Sequence, residues 1–167
     1  SCLVGSEMCI RDSSTAMGSD TFANGNYSTA LGFSTTAQGP ISTAMGGATN
    51  ANGYAATAMG YNNSANGNYS TTMGFLTDAS GAYSTAIGNS TSSIGENSTA
   101  MGIETTASDY ASLVIGRYNS SGYSATDATS YSPSNTAFVI GNGADSSNRS
   151  DAFKVMFNGD ATVSNDL

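Results

Sequence analysis

The sequence is poor in the residues that most enzyme sites and nucleic-acid surfaces need. The chain of 167 residues has no histidine and no tryptophan, and its four Lys and Arg stand against twelve Asp and Glu. Without histidine there is no Ser–His–Asp or Cys–His nucleophilic site and no His-ligated zinc. A net charge of -8 leaves nothing to neutralise phosphates, so no nucleic-acid partner is expected. No apolar run approaches the ~20 residues that span a bilayer, so no membrane insertion is expected.

Ser, Thr, Asn and Gly together make up half of the chain. Such a composition, with 10% charged residues, would favour disorder if the sequence were not strictly periodic. The motif Ser-Thr-Ala-Met-Gly at Ser14–Gly18 returns every 14 residues without insertion, and an eighth, divergent copy lies at Ser112–Gly116. A fixed internal period indicates a repeat architecture. Its apolar and Gly columns are Met17–Gly18, Leu31–Gly32, Met45–Gly46, Met59–Gly60, Met73–Gly74, Ile87–Gly88, Met101–Gly102 and Ile115–Gly116.

The second half of each repeat also alternates. In the first repeat Thr21, Ala23 and Gly25 are small, whereas the residues between them are polar or large. Period-2 alternation indicates a strand with one buried and one wet face. Fourteen residues hold two short strands and two turns, whereas helical repeats need more than thirty. The sequence therefore predicts an all-β chain, a parallel β-roll (β-solenoid) whose 14-residue coils stack about 4.8 Å apart.

Which face of the first strand lies inside the coil is not given by alternation. We favour the Met column inside, opposite the Ala and Gly columns, because Met fills irregular gaps. Each coil offers one large apolar side chain, which is little burial for fourteen ordered residues. We therefore expect identical rods to pack side by side, with either Thr15–Met17 or Ser14–Ala16 facing the common axis.

The repeat Ser-Thr-Ala-Met/Leu/Ile-Gly followed by Thr-x-Ala-x-Gly resembles the head repeats of trimeric autotransporter adhesins, also called YadA-like heads or Hep/Hag repeats. The resemblance runs from Ser14 to about Gly116. It implies a left-handed parallel β-roll, a homotrimer and display on the bacterial surface. The family commonly has Val where this chain has Thr before Ala. Two further departures are Asp109, at a Gly position, and Gly122, which is out of register.

Three segments are predicted. Residues 1–12 hold both cysteines and fit no repeat, so we interpret them as a non-native segment. Residues 13–116 carry the head repeats, and 117–167 carry a divergent last coil with a polar insert. Within the last segment Ala137–Gly141 reads as a ninth copy of the strand, and Asn158-Gly159 is a strong hairpin turn. We expect a C-terminal β-hairpin that caps the solenoid.

No residues form a convincing catalytic or metal site, so neither enzymatic activity nor a cofactor is expected. The oxygen-rich loop 145–151 lacks the spacing and the Gly of an EF-hand, and we interpret it as a solvated loop. Asp78, Glu96, Glu104 and Asp109 fall at turn positions of successive coils, with nothing to place two of them across a cleft. We expect all four to be solvated turn residues.

Two other columns have more than one interpretation. The Thr column that begins at Thr15 could order water, as in ice-binding solenoids, but β-branched filler in a buried strand is favoured. The aromatic and aliphatic residues that follow the Gly column could be subunit contacts or a ligand-binding edge. They are Phe33, Tyr61, Phe75 and Ile103.

The predicted function is that of a surface-displayed adhesin head. In this interpretation a rigid trimeric rod attaches a bacterial cell to a host or environmental surface through many weak contacts. The rod would be extracellular and anchored in the outer membrane through a region outside this chain. A phage tail-fibre shaft and an ice-binding solenoid are the alternatives.

Overall fold

The computed structural model describes residues 9–10 and 13–164. These residues form strands, turns and bends without a helix, and none of them belongs to a helix that could cross a membrane. In chain order the strands are β1 (Cys9–Ile10), β2 (Thr15–Ser19), β3 (Phe22–Ala23), β4 (Thr29–Phe33), β5 (Thr36–Ala37), β6 (Thr43–Gly47), β7 (Asn50–Ala51), β8 (Thr57–Tyr61), β9 (Ser64–Ala65), β10 (Thr71–Phe75), β11 (Asp78–Ala79), β12 (Thr85–Asn89), β13 (Ser92–Ser93), β14 (Thr99–Ile103), β15 (Thr106–Ala107), β16 (Leu113–Arg117), β17 (Thr136–Asn142), β18 (Asp151–Met156) and β19 (Ala161–Val163).

The strands build two sheets that run along a solenoid. The odd-numbered, two-residue strands from β1 to β15 form an eight-stranded sheet. The even-numbered, five-residue strands from β2 to β16 form an 11-stranded sheet together with β17, β18 and β19. Each five-residue strand pairs in parallel with the one in the next coil, fourteen residues along the chain, as Met45 does with Met59. The predicted all-β, parallel, 14-residue register is therefore confirmed. Each long strand continues through its Gly, because the next residue is still paired, as Phe33 is with Gly47.

Each coil consists of two seven-residue halves. Non-Gly residues with positive φ recur every seven residues from Ser13 (φ 63°) to Tyr118 (φ 44°), one at each corner of each coil. Their amides keep the ladder intact around the corners: Ile41 N–H donates to Asn26 O at 2.8 Å. The opposite corner behaves alike, with Asn62 N–H donating to the carbonyl oxygen fifteen residues earlier at 2.9 Å. The left-handed conformation is unfavourable for a β-branched residue such as Ile41, so the stacked corners impose it.

The interior of the roll is narrow. A Cβ on Gly18 would lie 1.8 Å from Gly32 O, and one on Gly25 would lie 2.0 Å from Gly39 O. Both Gly columns are therefore required by backbone contact between successive coils, and the first also by φ, which is +133° at Gly18. The inward positions between them hold fully buried alanines. In the first seven coils these are Ala16, Ala23, Ala30, Ala37, Ala44, Ala51, Ala58, Ala65, Ala79, Ala86, Ala100 and Ala107.

The expectation that the Met column lies inside the coil is wrong. Met17 is 62% exposed and Met73 is 38% exposed, whereas Ala16 between the outward residues is fully buried. The reason is that both sheets line the interior with Ser, Thr and Ala, and the space between the sheets is filled by these small side chains. In the first coil they are Ser14, Ala16, Thr21 and Ala23. The Thr column lies on the same outward face as Met, with Thr15 exposed, so it is not filler in a buried strand.

The polar insert closes the short-strand sheet. The side-chain amide of Asn119 acts like the next strand, because Oδ1 accepts from Thr106 N–H at 2.8 Å and Nδ2 donates to Thr106 O at 2.9 Å. Ser108 N–H donates to Gly122 O at 2.9 Å. Gly122, which is out of register in the sequence, therefore supplies a cap to the last short strand.

The long-strand sheet ends in the expected hairpin. β17 pairs in parallel with β16, Ile115 opposite Ile140, which confirms the ninth copy of the strand. β18 then pairs antiparallel with β17, and β19 antiparallel with β18. At the other end β1 pairs in parallel with β3. Within residues 1–12 the structure describes only β1, so the interpretation of this segment as non-native stays a prediction.

Candidate interaction surfaces

The outward side of the long strands is a continuous apolar stripe, here called the Met face. It consists of the Thr column and the Met, Leu and Ile column, one pair per coil, in parallel register from β2 to β16. All its large side chains are partly or largely exposed in the single chain, from Met17 at 62% to Met59 at an intermediate level. A continuous exposed apolar surface of this kind marks a site of association.

The outward side of the short strands is polar and is here called the amide face. Asn52 Nδ2 donates to Asn66 Oδ1 at 2.7 Å, and Asn66 Nδ2 donates to Asp78 Oδ1 at 2.9 Å. Ser80 Oγ donates to the other oxygen of Asp78 at 2.5 Å. The network spans three coils and holds these side chains in a fixed array at the coil spacing. Asp78 is therefore a strand residue of this face and not a turn residue as expected.

The corners of the coils form two edges that flank the Met face. The N-edge is the turn before each long strand, and its large side chains are Tyr27, Ile41, Tyr54, Tyr69 and Tyr83, all at least 41% exposed. The C-edge is the residue that ends each long strand, and its large side chains are Phe33, Tyr61, Phe75 and Ile103, all at least 45% exposed. Both edges carry ring stacks. The Tyr69 and Tyr83 rings are 5.0 Å apart at 3°, and the Tyr61 and Phe75 rings are 5.9 Å apart at 11°.

One buried carboxylate corrects the expectation of solvated turns. Asp109 is fully buried, and its Oδ1 and Oδ2 accept the backbone N–H groups of Thr126 at 2.5 Å and Thr136 at 2.8 Å. No regular coil stacks on this residue, so the Cβ that every earlier coil forbids is accommodated. Asp109 thus ties the middle of the insert and the start of β17 to the turn that follows the last short strand. The sequence signal was the departure from Gly in an otherwise invariant column.

The internal Asn63 was missed by the sequence interpretation. Asn63 replaces Thr in the inward column that begins with Thr21, and its Nδ2 donates to Met59 O at 2.6 Å and Gly74 O at 2.9 Å. Its Oδ1 accepts Thr77 N–H at 2.9 Å. Asn63 therefore ties the corner of its own coil to the next one. The only available signal was the change from Thr to Asn at a fixed position.

The C-terminal section gathers the basic side chains of the described residues. Arg149 forms an ion pair with Glu104 at 3.3 Å and lies 4.3 Å from the Tyr123 ring centroid. Asp151 accepts the N–H groups of Ser120 and Ser121, both at 2.8 Å. A cavity of about 260 Å³ between the insert and the hairpin is lined by these serines and by Lys154. Each Asp oxygen here is occupied by protein donors, so the arrangement fastens the insert to the hairpin.

The loop after β17 is ordered by its own hydrogen bonds. The side chain of Asn148 and the amide of Ser147 donate to Asp145 and lower the pKa of its carboxyl group. Among residues 9–10 and 13–164 no cluster of acidic, Cys or His residues could hold a metal ion. Glu96 lies in a turn, and Glu104 lies at a C-edge corner with positive φ. Nothing in this geometry gives the four candidate carboxylates a shared cleft.

The two Thr columns do not form an ice-binding surface. The column of Thr15 points outward beside Met, whereas the column of Thr21 is buried inside the roll. Ordering water on a flat sheet would require adjacent outward columns, so the water-ordering interpretation loses its geometric basis. The outward Thr residues instead belong to the Met face.

The repeat geometry has a counterpart among known families. The family described as the YadA head domain repeat (2 copies) matches residues 12–35, 37–63, 51–77, 65–91 and 93–119, which is more than half of the chain. This chain belongs to the YadA head family. YadA heads are adhesin-type head domains of trimeric autotransporters, a family of structural modules and not of enzymes. No curated protein matches the chain.

Proposed function

We propose that this YadA head is a rigid homotrimeric rod that attaches a bacterial cell to a host or environmental surface. Residues 13–116 are the rod and 117–167 its closing segment. The proposed location is the cell surface with an outer-membrane anchor, and the family supports it because its heads are displayed in that way. The observation that carries the proposal is the Met face, an apolar stripe that runs the length of the rod and is exposed in a single chain.

The dimensions of the Met face suit a trimer. A five-residue strand is about 17 Å long, so three such faces enclose a triangular prism whose walls lie about 5 Å from the axis. That distance is half of the ~10 Å that separates packed sheets, which leaves room for one layer of side chains from each copy. The single Met, Leu or Ile per coil supplies that layer. Burial of each of these side chains contributes about 1.5–3 kcal/mol to the stability of the trimer, and the contributions of successive coils add up.

Assembly through the Met face leaves the amide face outside. Its fixed array of Asn, Asp and Ser groups repeats along the rod and, in a trimer, around it. Each group makes a weak contact, and the repetition supplies avidity that a single shallow site cannot. Rigidity matters here, because the ladder of hydrogen bonds runs without interruption around both corners of the coils.

The test compares the full chain with a Met59→Asp variant, and with Gln38→Glu as the charge-matched control on the exposed amide face. A carboxylate placed at the axis is expected to convert the trimer into monomers in sedimentation velocity, whereas Gln38→Glu leaves it a trimer. Beads coated with each protein are then applied to glass, cellulose and mucin. Trimer-coated beads should be retained on at least one surface, and Met59→Asp beads should not.

Two results would contradict the proposal. A wild-type chain that sediments as a folded monomer at micromolar concentration removes the trimer. Retention of wild-type beads no greater than that of beads coated with an inert protein, on all three surfaces, removes the attachment function.

A further inference from the structure

The two edges that flank the Met face are complementary. The N-edge and the C-edge carry their aromatic residues on the same strands, because β4, β8 and β10 each have an aromatic residue in the preceding turn and another as their last residue. For β10 these are Tyr69 and Phe75. The amide face, by contrast, exposes chiefly Asn, Gln, Ser, Thr and Asp. The large exposed rings are therefore concentrated beside the Met face and not on the side that assembly would leave outward.

Rotational symmetry decides what these edges meet. Rotating one rod about an axis parallel to it brings the N-terminal end of a strand in one copy against the C-terminal end of the same strand in the next. Such a contact joins two different patches and closes into a ring. Because the coils of parallel rods stand level, Tyr54 of one copy lies at the height of Tyr61 of its neighbour, and Tyr69 lies at the height of Phe75.

We propose that the N-edge of one copy packs against the C-edge of the next through these aromatic side chains, so that they lock adjacent copies of the rod together. The inference rests on the proposed trimer and names the partner of the edges as a second copy of this chain. Each edge presents a stack about two coils high, so the contact tolerates a slip of one coil. Ring pairs prefer edge-to-face contact at 4.5–7 Å, and stacked rings expose their edges for it.

A heterologous contact has a distinctive mutational signature. Removing the N-edge rings or the C-edge rings destroys the same contact, so the two losses overlap and do not add. The variants are Tyr54→Ser with Tyr69→Ser, Tyr61→Ser with Phe75→Ser, and all four changes together. Phe22→Ser, which removes a ring from the amide face, is the control. The trimer dissociation constant is measured by sedimentation equilibrium, and circular dichroism verifies the fold of each variant.

Each pair of changes is expected to raise the dissociation constant roughly tenfold or more, as loss of aromatic interface anchors does. The fourfold variant should lie within about threefold of the weaker pair. Phe22→Ser should leave the constant unchanged. A second readout is rescue by opposite charges. Tyr69→Lys and Phe75→Glu should each weaken the trimer, and their combination in one chain should restore it.

The outcomes separate this inference from the proposed trimer. A wild-type trimer that Met59→Asp dissociates, but that the edge variants leave intact or weaken additively, overturns the edge contact alone. A wild-type monomer overturns both. Overlapping losses together with rescue by the opposite charges support the contact.

Discussion

The two halves of each coil have the same interior and opposite exteriors. Both place Ser or Thr and then Ala toward the inside, follow them with a Gly in backbone contact with the next coil, and end in a residue with positive φ. Outside, the long half carries Thr and Met in columns, whereas the short half carries amides and hydroxyls. The difference teaches that the backbone stack dictates the inward residues, while the outward ones are free to decide which face associates and which stays in water.

The largest effect is expected from adding one Cβ to a Gly in each half, which tests whether both halves depend equally on contact between coils. At Gly60 the added atom would lie 2.1 Å from Gly74 O, and at Gly67 it would lie 2.0 Å from Gly81 O. Both Gly60→Ala and Gly67→Ala should lower the free energy of unfolding by at least about 4 kcal/mol, the range of severe steric lesions. Urea unfolding followed by circular dichroism measures this.

Gly159→Ala separates the steric effect from the dihedral effect. Gly159 has φ +92° but no atom within 4 Å of the added Cβ, so the loss should stay near about 1–2 kcal/mol. If Gly67→Ala were as stable as wild type, the short half would not be governed by coil contact, and the equivalence of the two halves would fail.

A second change concerns Asp109, which follows the last short strand where the insert begins to cover the roll. Asp109→Gly restores the repeat residue but removes the acceptor of two backbone N–H groups. Charged hydrogen bonds of this kind contribute about 2–3 kcal/mol each at most. The free energy needed to open the insert locally should therefore fall by about that amount. Hydrogen exchange at the amides of Thr126 and Thr136 should accelerate. Asp109→Asn, which keeps one side-chain oxygen as acceptor, should give a smaller acceleration, and equal protection in all three proteins would contradict the assignment.

Within the long half, Thr72 occupies an inward position that is Ala in most coils. Its hydroxyl is buried and has no hydrogen-bond partner within residues 13–164. Thr72→Val keeps the shape and removes the hydroxyl, so we expect the free energy of unfolding to rise by about 1 kcal/mol. Thr72→Ser keeps the hydroxyl and loses a methyl group, so it should lower stability. A loss of stability in the Val variant would show that the hydroxyl is satisfied in solution.

The smallest expected effect concerns acid. The backbone N–H groups of Thr129 and Ser130 donate to Asp127 and lower the pKa of its carboxyl group. A lowered pKa in the folded state means that this contribution is present above the ordinary Asp pKa and is lost as pH falls through the folded value. Protection of those two amides should therefore fall below about pH 4. In Asp127→Asn the same amides should show no such step.

Much of the fold followed from the sequence because the repeat fixes pairing. Residues fourteen apart are paired, the ninth strand copy stacks on the eighth, and the Asn158-Gly159 turn joins β18 to β19. The direction of the Met column did not follow, because alternation shows which residues share a face and not which face is inside. That choice follows from the small residues that both sheets place inward, which becomes visible only once the two sheets are seen to face each other.

The surfaces were predictable only in part. Phe33, Tyr61, Phe75 and Ile103 were singled out as an edge, and the structure places them at one corner of the roll. The turn residues Tyr27, Tyr69 and Tyr83 of the N-edge also share one repeat position and are recognisable in the sequence as an irregular aromatic ladder. Tyr54, one position earlier in the repeat, was not grouped with them. The burial of Asp109 was missed because carboxylates in turns are usually solvated, and only the insert covers this one.

The seven-residue recurrence of the corners has a consequence for how such rods change in length over evolution. Duplication or loss of a whole repeat inserts or removes one coil and leaves every face aligned. Slippage by half a repeat would keep Ser or Thr and Ala inward and Gly at the positions of coil-to-coil contact, so the roll itself could still close. It would, however, exchange the two outer faces above the slip and set amides against the neighbouring copies. Selection for assembly, and not for the fold of one chain, therefore explains why gains and losses here must come in units of fourteen.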